Sequence, residues 1–185
     1  AGISQDVEAD DSILELTIAR LPWLVLPLFG GVISVHVLGI FEPVMDLHPE
    51  LFFFTPLIAA MAGNVGVQSS AIIVQGLANN TIIGPVVERL LKELSLSLLS
   101  VIILSAILLL GSYFLLGYEI HVGYTVSIAL LSVIIMASLI GTFIPIILNK
   151  YGVDPALATG PFITTSNDIL GILTYFTIAK IILGI

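Results

Sequence analysis

Five long apolar runs divide the chain, and short polar spacers separate them. A membrane-spanning helix needs about 20 apolar residues to cross about 30 Å of hydrocarbon, and each run is long enough. The spacers contain Pro, Gly and Asn, which favour turns. The pattern predicts an all-α, polytopic membrane protein with five transmembrane helices per chain, at Leu21–Phe41, Leu51–Ala78, Leu94–Leu116, Tyr124–Leu148 and Pro161–Ile185.

The composition agrees with a membrane protein and excludes several classes. Hydrophobic residues make up 58% of the 185 positions and charged residues 10%, whereas a soluble domain carries about 25% charged residues. The absence of cysteine excludes disulfides and thiolate metal sites. No hydrolase, metalloprotease or P-loop motif occurs, so the sequence predicts a non-enzyme. An acidic tail and a net charge of −8 argue against binding to nucleic acid or to anionic lipid head groups.

The basic residues predict the orientation of the spans. Arg20 precedes the first span, Arg89 and Lys92 follow the second, and Lys150 follows the fourth. All four lie on one side of a five-span chain, and the positive-inside rule makes that side cytoplasmic. Lys180 is the exception, and we expect it to snorkel to the outer interface. The N-terminus is therefore predicted on the cytoplasmic side of the plasma membrane and the C-terminus on the outer side.

This orientation divides the chain into two parts. Residues 1–19 are predicted to be an acidic cytoplasmic connecting segment, and residues 20–185 the five-span transmembrane domain.

Asp168 is the acidic residue that lies deep in an apolar run. It follows Pro161 by seven residues, which is about 10 Å along a helix. Exposure of a carboxylate to lipid costs several kcal/mol, so such residues mark ion pathways by default. The alternative is a structural acid bonded by Asn, Thr or Lys from a neighbouring helix. Helical spacing places Thr164, Gly171 and Tyr175 on the same face as Asp168.

The second span is rich in small residues between positions 59 and 71. Such residues let helices pack closely, but Gly63 and Gly66 also leave backbone carbonyls open to water or an ion. Asn64 and Gln68, one turn apart, favour a wet face, since amides are costly in lipid. Both interpretations, packing surface and pore lining, stay open.

Two other groups have plainer interpretations. Glu88 and Glu93 flank Arg89 and Lys92, which indicates ion pairs at the membrane interface. The histidines are scattered along the chain and indicate an interface rather than a metal site; they are His36, His48 and His121.

One carboxylate per chain is a small ligand set for a cation. Two chains around a two-fold axis would bring two copies of Asp168 together, as in the acidic rings of cation pores. The sequence therefore predicts a homodimer in the lipid bilayer with the pore at its axis. Hard divalent ions suit such a site, and Mg²⁺ keeps several of its waters. Ala62 and Ile172 suggest themselves as positions for cysteine crosslinks across this axis.

Two segments resemble a known family. The segment "GNVGVQSS" (63–70) and the segment "VDPALATGPFITTSNDILG" (153–171) are similar to motifs of the transmembrane domain of MgtE-type magnesium channels, in the same order. The resemblance implies magnesium transport through a homodimeric ion channel. It also implies that Asp168 binds hydrated Mg²⁺ and that the carbonyl of Thr164 faces the ion.

The resemblance also implies a pore lined by the second and fifth spans. Asn64 matches the first Asn of the family motif, Val67 stands where some members have a second Asn, and Asn167 replaces a common Ser. The complete set of residues predicted to line the pore is Gly63, Asn64, Gly66, Val67, Gln68, Thr165, Asn167 and Gly171.

The same resemblance leaves alternatives in ion and mechanism. Ca²⁺ and Mn²⁺ are further candidate ions, and a carrier or exchanger coupled to Na⁺ or H⁺ is the alternative to a channel. A non-conducting membrane scaffold with a structural Asp168 is a third hypothesis. Bacterial members usually carry a cytosolic regulatory domain before the first span. This sequence has only the acidic segment there, so the chain is expected to lack their cytosolic Mg²⁺ sensor.

Overall fold

Five long helices and two short ones make up the chain. The computed structural model describes residues 7–8, 10–82, 84–158 and 160–185, so that Asp6 of the acidic tail and Thr159 of the second motif lie outside it. The described part contains no strand. In chain order the helices are α1 (Ile13–Ile40), α2 (Glu42–Leu47), α3 (Glu50–Ala78), α4 (Val86–Phe114), α5 (Ile120–Lys150), α6 (Pro155–Ala158) and α7 (Pro161–Leu183).

The five predicted spans are confirmed as α1, α3, α4, α5 and α7, each long and apolar enough to cross a membrane. The chain is therefore an integral membrane protein. The helices α1, α4 and α5 begin four to eight residues before the predicted ranges, because helical hydrogen bonding continues into the polar spacers, whereas α1, α4 and α7 end one or two residues early. The short helices α2 and α6 occupy two of these spacers and were not predicted.

The first span begins earlier than its apolar run. Ser12 caps α1 by accepting a hydrogen bond from the backbone N–H of Glu15, whose carboxylate accepts one from the backbone N–H of Ser12. This capping box satisfies N–H groups that have no partner within the helix. As a result α1 is continuous from Ile13 across residue 20, so the second half of the predicted connecting segment is already helical.

The helix α5 is the centre of the bundle. It packs against α3, α4 and α7, and it buries residues along most of its length, including Val126, Val133 and Ala137. Small polar residues join it to α4, where the Ser97 hydroxyl donates to Ser138 Oγ over 2.6 Å. Close approach through small residues is typical of helix packing in membranes.

The outward face of the bundle is apolar. Leu28 of α1 is 67% exposed and Leu99 of α4 is 66% exposed. Exposed leucines on long helices suit a lipid environment, where no hydrophobic force drives them inward. Most of α1 is exposed in this way, since it packs chiefly on α7.

The end of α5 is fixed by a left-handed glycine. Gly152 has φ +74°, a conformation that glycine adopts without strain. The N–H of Val153 donates to Leu148 O over 3.0 Å, and that of Gly152 to Asn149 O over 3.1 Å. This Schellman motif turns the chain toward α6 and α7.

The closest packing in the bundle occurs where α3 meets α5 and α7. A side chain on Gly141 of α5 would overlap the backbone carbonyl of Gly66 on α3, and a side chain on Gly66 would overlap the Asn167 amide of α7. One turn further along α7, a Cβ on Gly171 would lie 3.2 Å from Ala62 Cβ. The three helices are thus held at backbone contact by glycines.

We expect Gly141→Ala to destabilise the fold, because its new methyl group meets backbone rather than a side chain that can rotate away. Overpacking of this kind costs about 1–3 kcal/mol. The melting temperature of the purified protein in detergent measures the effect. Gly111→Ala in α4 is the control, since a Cβ there meets nothing within 4 Å and alanine favours the helix by about 1 kcal/mol. Equal melting temperatures for the two variants would contradict the contact.

Candidate functional site

The helices α3 and α7 run antiparallel and meet around Asp168. Gly63 faces the acid, so that a Cβ on Gly63 would lie 3.9 Å from Asp168 Oδ1 and 4.0 Å from Thr164 Cγ2. Near the other end of α7, the Tyr175 hydroxyl donates to Leu51 O over 2.9 Å. The glycine therefore brings the carboxylate against the backbone of α3, while the tyrosine fixes how the two helices are aligned.

An open groove of ≈ 600 Å³ runs between these two helices. Asp168 and Thr164 line one side and residues of α3 line the other; the α3 residues are Ala59, Ala60, Gly63, Asn64, Val67 and Gln68. Six of the predicted site residues therefore share one surface, which combines a carboxylate, a hydroxyl and two amides.

Asp168 has no protein partner in the described part of the chain. It is half-buried, and no side chain or backbone group there donates a hydrogen bond or forms an ion pair with its carboxylate. The structural alternative, an acid bonded by a neighbouring helix, therefore has no support within the described protomer. A half-buried carboxylate without a partner is stabilised by water or by a cation.

Thr164 lies one turn before Asp168 and lines the same groove. Its hydroxyl donates to Gly160 O and to Pro161 O, each over 3.2 Å. These bonds use the hydrogen of the hydroxyl within its own helix. The Thr164 side chain lines the groove, and its Cγ2 would lie 4.0 Å from a Cβ on Gly63.

The other four predicted pore residues lie outside the lining of this groove. Asn167 is fully buried, and its Nδ2 donates to Ala62 O over 3.3 Å. Thr165 packs against Gly30 of α1, and Gly66 and Gly171 lie between helices. Helical spacing explains the difference, because residues 167 and 168 are about 100° apart around α7. In the protomer these four residues serve packing.

A second cleft adjoins the groove. It measures ≈ 520 Å³, lies between α3 and α4, and shares Asn64 and Gln68 with the groove. Glu93 of α4 lines it, and the Ser69 hydroxyl donates to Glu93 Oε1 over 2.5 Å. Sequence reasoning missed this carboxylate because Glu93 stands beside basic residues in the chain.

The expected interfacial ion pairs are not found. Within the described residues both ion pairs involve histidine, His48 with Glu50 and His121 with Glu119. Glu93 instead turns toward α3. The helical period shows on which face of α4 Glu93 lies. Which helix this face meets depends on how α3 and α4 pack on α5, and the sequence does not show that packing.

Comparisons with known proteins agree with this architecture. A family model described as a divalent cation transporter, MgtE, matches residues 55–178. The magnesium transporter MgtE of Bacillus subtilis (strain 168) is 37% identical over 180 residues, which is 97% of this chain and 40% of that protein.

Two further relatives carry the same name. The magnesium transporter MgtE of Enterococcus faecalis is 32% identical over 180 residues, or 97% of this chain and 40% of that protein. The one of Thermus thermophilus is 32% identical over 169 residues, or 91% of this chain and 37% of that protein. The chain thus spans well under half the length of each of these relatives.

We expect Asn167→Ala to lower stability by about 1–3 kcal/mol, because it removes a buried hydrogen bond and leaves a space beside Gly66. Thermal unfolding in detergent measures the loss. Ser166→Ala is the matched control, since Ser166 is only half-buried and faces an apolar pocket on the outside of the bundle. Unchanged stability together with altered ion binding would instead place Asn167 in the ion path.

Proposed function

Because the chain belongs to the MgtE family of divalent cation transporters, we propose that it conducts Mg²⁺ across the plasma membrane. In this proposal two copies form a homodimer, and the groove between α3 and α7 of each copy faces the two-fold axis. Together the two grooves form the pore. The ends of the bundle that carry Arg20, Arg89 and Lys150 face the cytoplasm.

The observation that carries the proposal is the unpaired carboxylate of Asp168 in an open, polar groove. Mg²⁺ gives up its waters reluctantly and is bound through one or two carboxylates while it keeps several of them. Six waters occupy about 180 Å³ at about 30 Å³ each. The groove of ≈ 600 Å³ can therefore hold a hydrated ion without displacing protein.

The remaining groove residues suit the water shell of such an ion. The amides of Asn64 and Gln68 are exposed and carry both donors and acceptors. Thr164 lines the groove from the same helix as Asp168. A site that contacts the ion through its waters selects by charge and by the size of the hydrated ion, so we extend the proposal to Ca²⁺ and Mn²⁺ as weaker competitors.

The openness of the groove supports the proposed dimer. A single protomer leaves Asp168 on a surface that is only half enclosed, and one carboxylate leaves a divalent ion half neutralised. A second copy would close the groove and supply the second charge. The two acids would repel each other when no ion is bound, which makes the cation part of what stabilises the assembly.

We expect Asp168→Asn to fold like the wild type, because the amide has nearly the same shape, and to lose Mg²⁺ flux. A contact with a charged group contributes about 1.5–3 kcal/mol, so Mg²⁺ binding should weaken about tenfold or more. Isothermal titration and Mg²⁺ uptake into proteoliposomes measure the two effects. Mg²⁺ should also raise the melting temperature of the wild type more than that of the variant.

Asp46→Asn is the matched control, since Asp46 is an exposed acid of α2, outside the groove. It should leave binding and flux unchanged. The ion site would be refuted if Asp168→Asn bound and conducted Mg²⁺ like the wild type, or if it unfolded the ion-free protein while leaving affinity intact.

The same proteoliposomes test the mechanism. A channel moves Mg²⁺ down its own gradient with no counter-ion, and this is the expected result. Flux that requires a Na⁺ or H⁺ gradient would establish a coupled carrier. Absence of flux from correctly folded dimers would establish a scaffold.

We expect Ala60→Cys to form a covalent dimer with a short bis-maleimide in native membranes, because Ala60 is exposed and lines the groove. This sequence has no other cysteine, so any crosslinked dimer must be joined at position 60. Ala62 and Ile172, which the sequence suggested for this purpose, are buried within the protomer. Leu99→Cys, exposed on α4, is the control; equal crosslinking at both positions would argue against the groove as the interface.

A further inference from the structure

Two histidines that are far apart in the sequence lie together at one end of the bundle. His48 follows α2 and directly precedes α3, and His121 lies in the first turn of α5. Their ring centroids are 6.4 Å apart, with the ring planes at 78°. Glu50 and Glu119 line the same cavity of ≈ 400 Å³ as the two rings.

Each ring has a carboxylate close to its Nδ1 atom. His48 Nδ1 is 2.9 Å from Glu50 Oε1, and His121 Nδ1 is 3.1 Å from Glu119 Oε2. The His48 contact has hydrogen-bond geometry, and in a neutral imidazole such a bond places the hydrogen on Nδ1 and leaves a lone pair on Nε2. Among the described residues, no group bonds to either Nε2.

This arrangement is the one that histidine ligands of metals adopt. Such a ligand almost always donates its other ring N–H to a carboxylate or carbonyl, which fixes the ring and raises its basicity. Here the hydrogen bond occurs at His48, and a second carboxylate lies 3.1 Å from the same nitrogen of His121 in the same cavity. Surface pairs of this exposure contribute little to stability, so stability alone does not account for the duplication.

The spacing of the rings fits a shared ion. With metal–nitrogen bonds of about 2.0–2.1 Å, two imidazoles on one metal have ring centroids from about 5 Å apart at a tetrahedral angle to about 6.5 Å apart when opposite. The observed 6.4 Å is at the upper end of this interval, so the rings would move together by about 1 Å to bind one ion tetrahedrally. The side chain of His121 is 52% exposed and therefore has room to adjust.

We propose that His48 and His121 form a binding site for a transition-metal ion of the Zn²⁺ class, separate from the Asp168 groove. Imidazole suits Zn²⁺, Ni²⁺ and Cu²⁺, whereas Mg²⁺ takes oxygen ligands. No set of three or more acidic or imidazole ligands surrounds a common point in the described chain, so water completes the coordination and the ion stays exchangeable. Bound metal would join the start of α3 to the start of α5.

The test measures Zn²⁺ binding to the purified chain by isothermal titration, in buffer without imidazole and after removal of any polyhistidine tag. We expect one Zn²⁺ per chain and a higher melting temperature with Zn²⁺ than without it. His48→Gln and His121→Gln should each weaken binding at least tenfold. His36→Gln, which changes an exposed histidine of α1, should leave it unchanged.

Variants of the two carboxylates provide a second test of the site. Glu50→Gln and Glu119→Gln should weaken binding about 10- to 100-fold by loosening the rings. Because His121 and Glu119 are both exposed, their variants keep the test valid even where a His48 variant folds poorly.

The Asp168→Asn variant separates this site from the proposed pore. Zn²⁺ affinity that persists in this variant, and that falls in the His121 variant, supports the histidine site whether or not the chain transports Mg²⁺. The proposal is overturned if Zn²⁺ does not bind, if both histidine variants bind it like the wild type, or if binding disappears in Asp168→Asn.

Discussion

The close approach of three helices at Gly66 is the constraint on which the rest of the structure depends. Gly66 has the backbone of Gly141 on one side and the amide of Asn167 on the other. A larger residue at Gly141 would meet the α3 backbone and require a helix to move, and one at Gly66 would displace the Asn167 side chain. Because α3 is held at this distance from α7, Gly63, three residues before Gly66 on α3, comes to lie against Asp168. The groove therefore owes its position to a contact that contributes no polar group to it.

That constraint also divides the polar residues of α7 between two roles. Asn167 and Thr165 face the interior of the protomer, where Asn167 donates to α3. Asp168 and Thr164 face the open side. In a membrane, a polar side chain must find either a protein partner or water. In this run, Asn167 Nδ2 and the Thr164 hydroxyl donate to backbone carbonyls, and Asp168 lies open to the groove. Thr165 Oγ1 and Asn167 Oδ1 are buried without a hydrogen-bond partner among the described residues.

Sequence reasoning predicted the parts that depend on the order of residues along one helix. The five spans, and a face carrying both Thr164 and Asp168, follow from hydropathy and from the helical period. The helical period could not distinguish a packing residue from a pore-lining one, because that depends on which neighbouring helix covers each face. This applies to Gly66, Thr165, Asn167 and Gly171. For the same reason, the contact of Glu93 with Ser69 of α3 was not predicted. The approach of His48 to His121 was not predicted either, because it depends on how α3 and α5 pack.

The charge distribution of the protomer bears on how a cation would be held. Asp168 has no basic partner in the described residues, whereas a fixed Lys or Arg beside it would form an ion pair and remove its attraction for a cation. A charge left unpaired in this way raises the free energy of the ion-free protein. That cost is lowered by water in the open groove and would rise if a second copy brought another carboxylate close. A site of this kind is stable when occupied and strained when empty, so the ion that crosses the membrane would also be the ligand that stabilises the path.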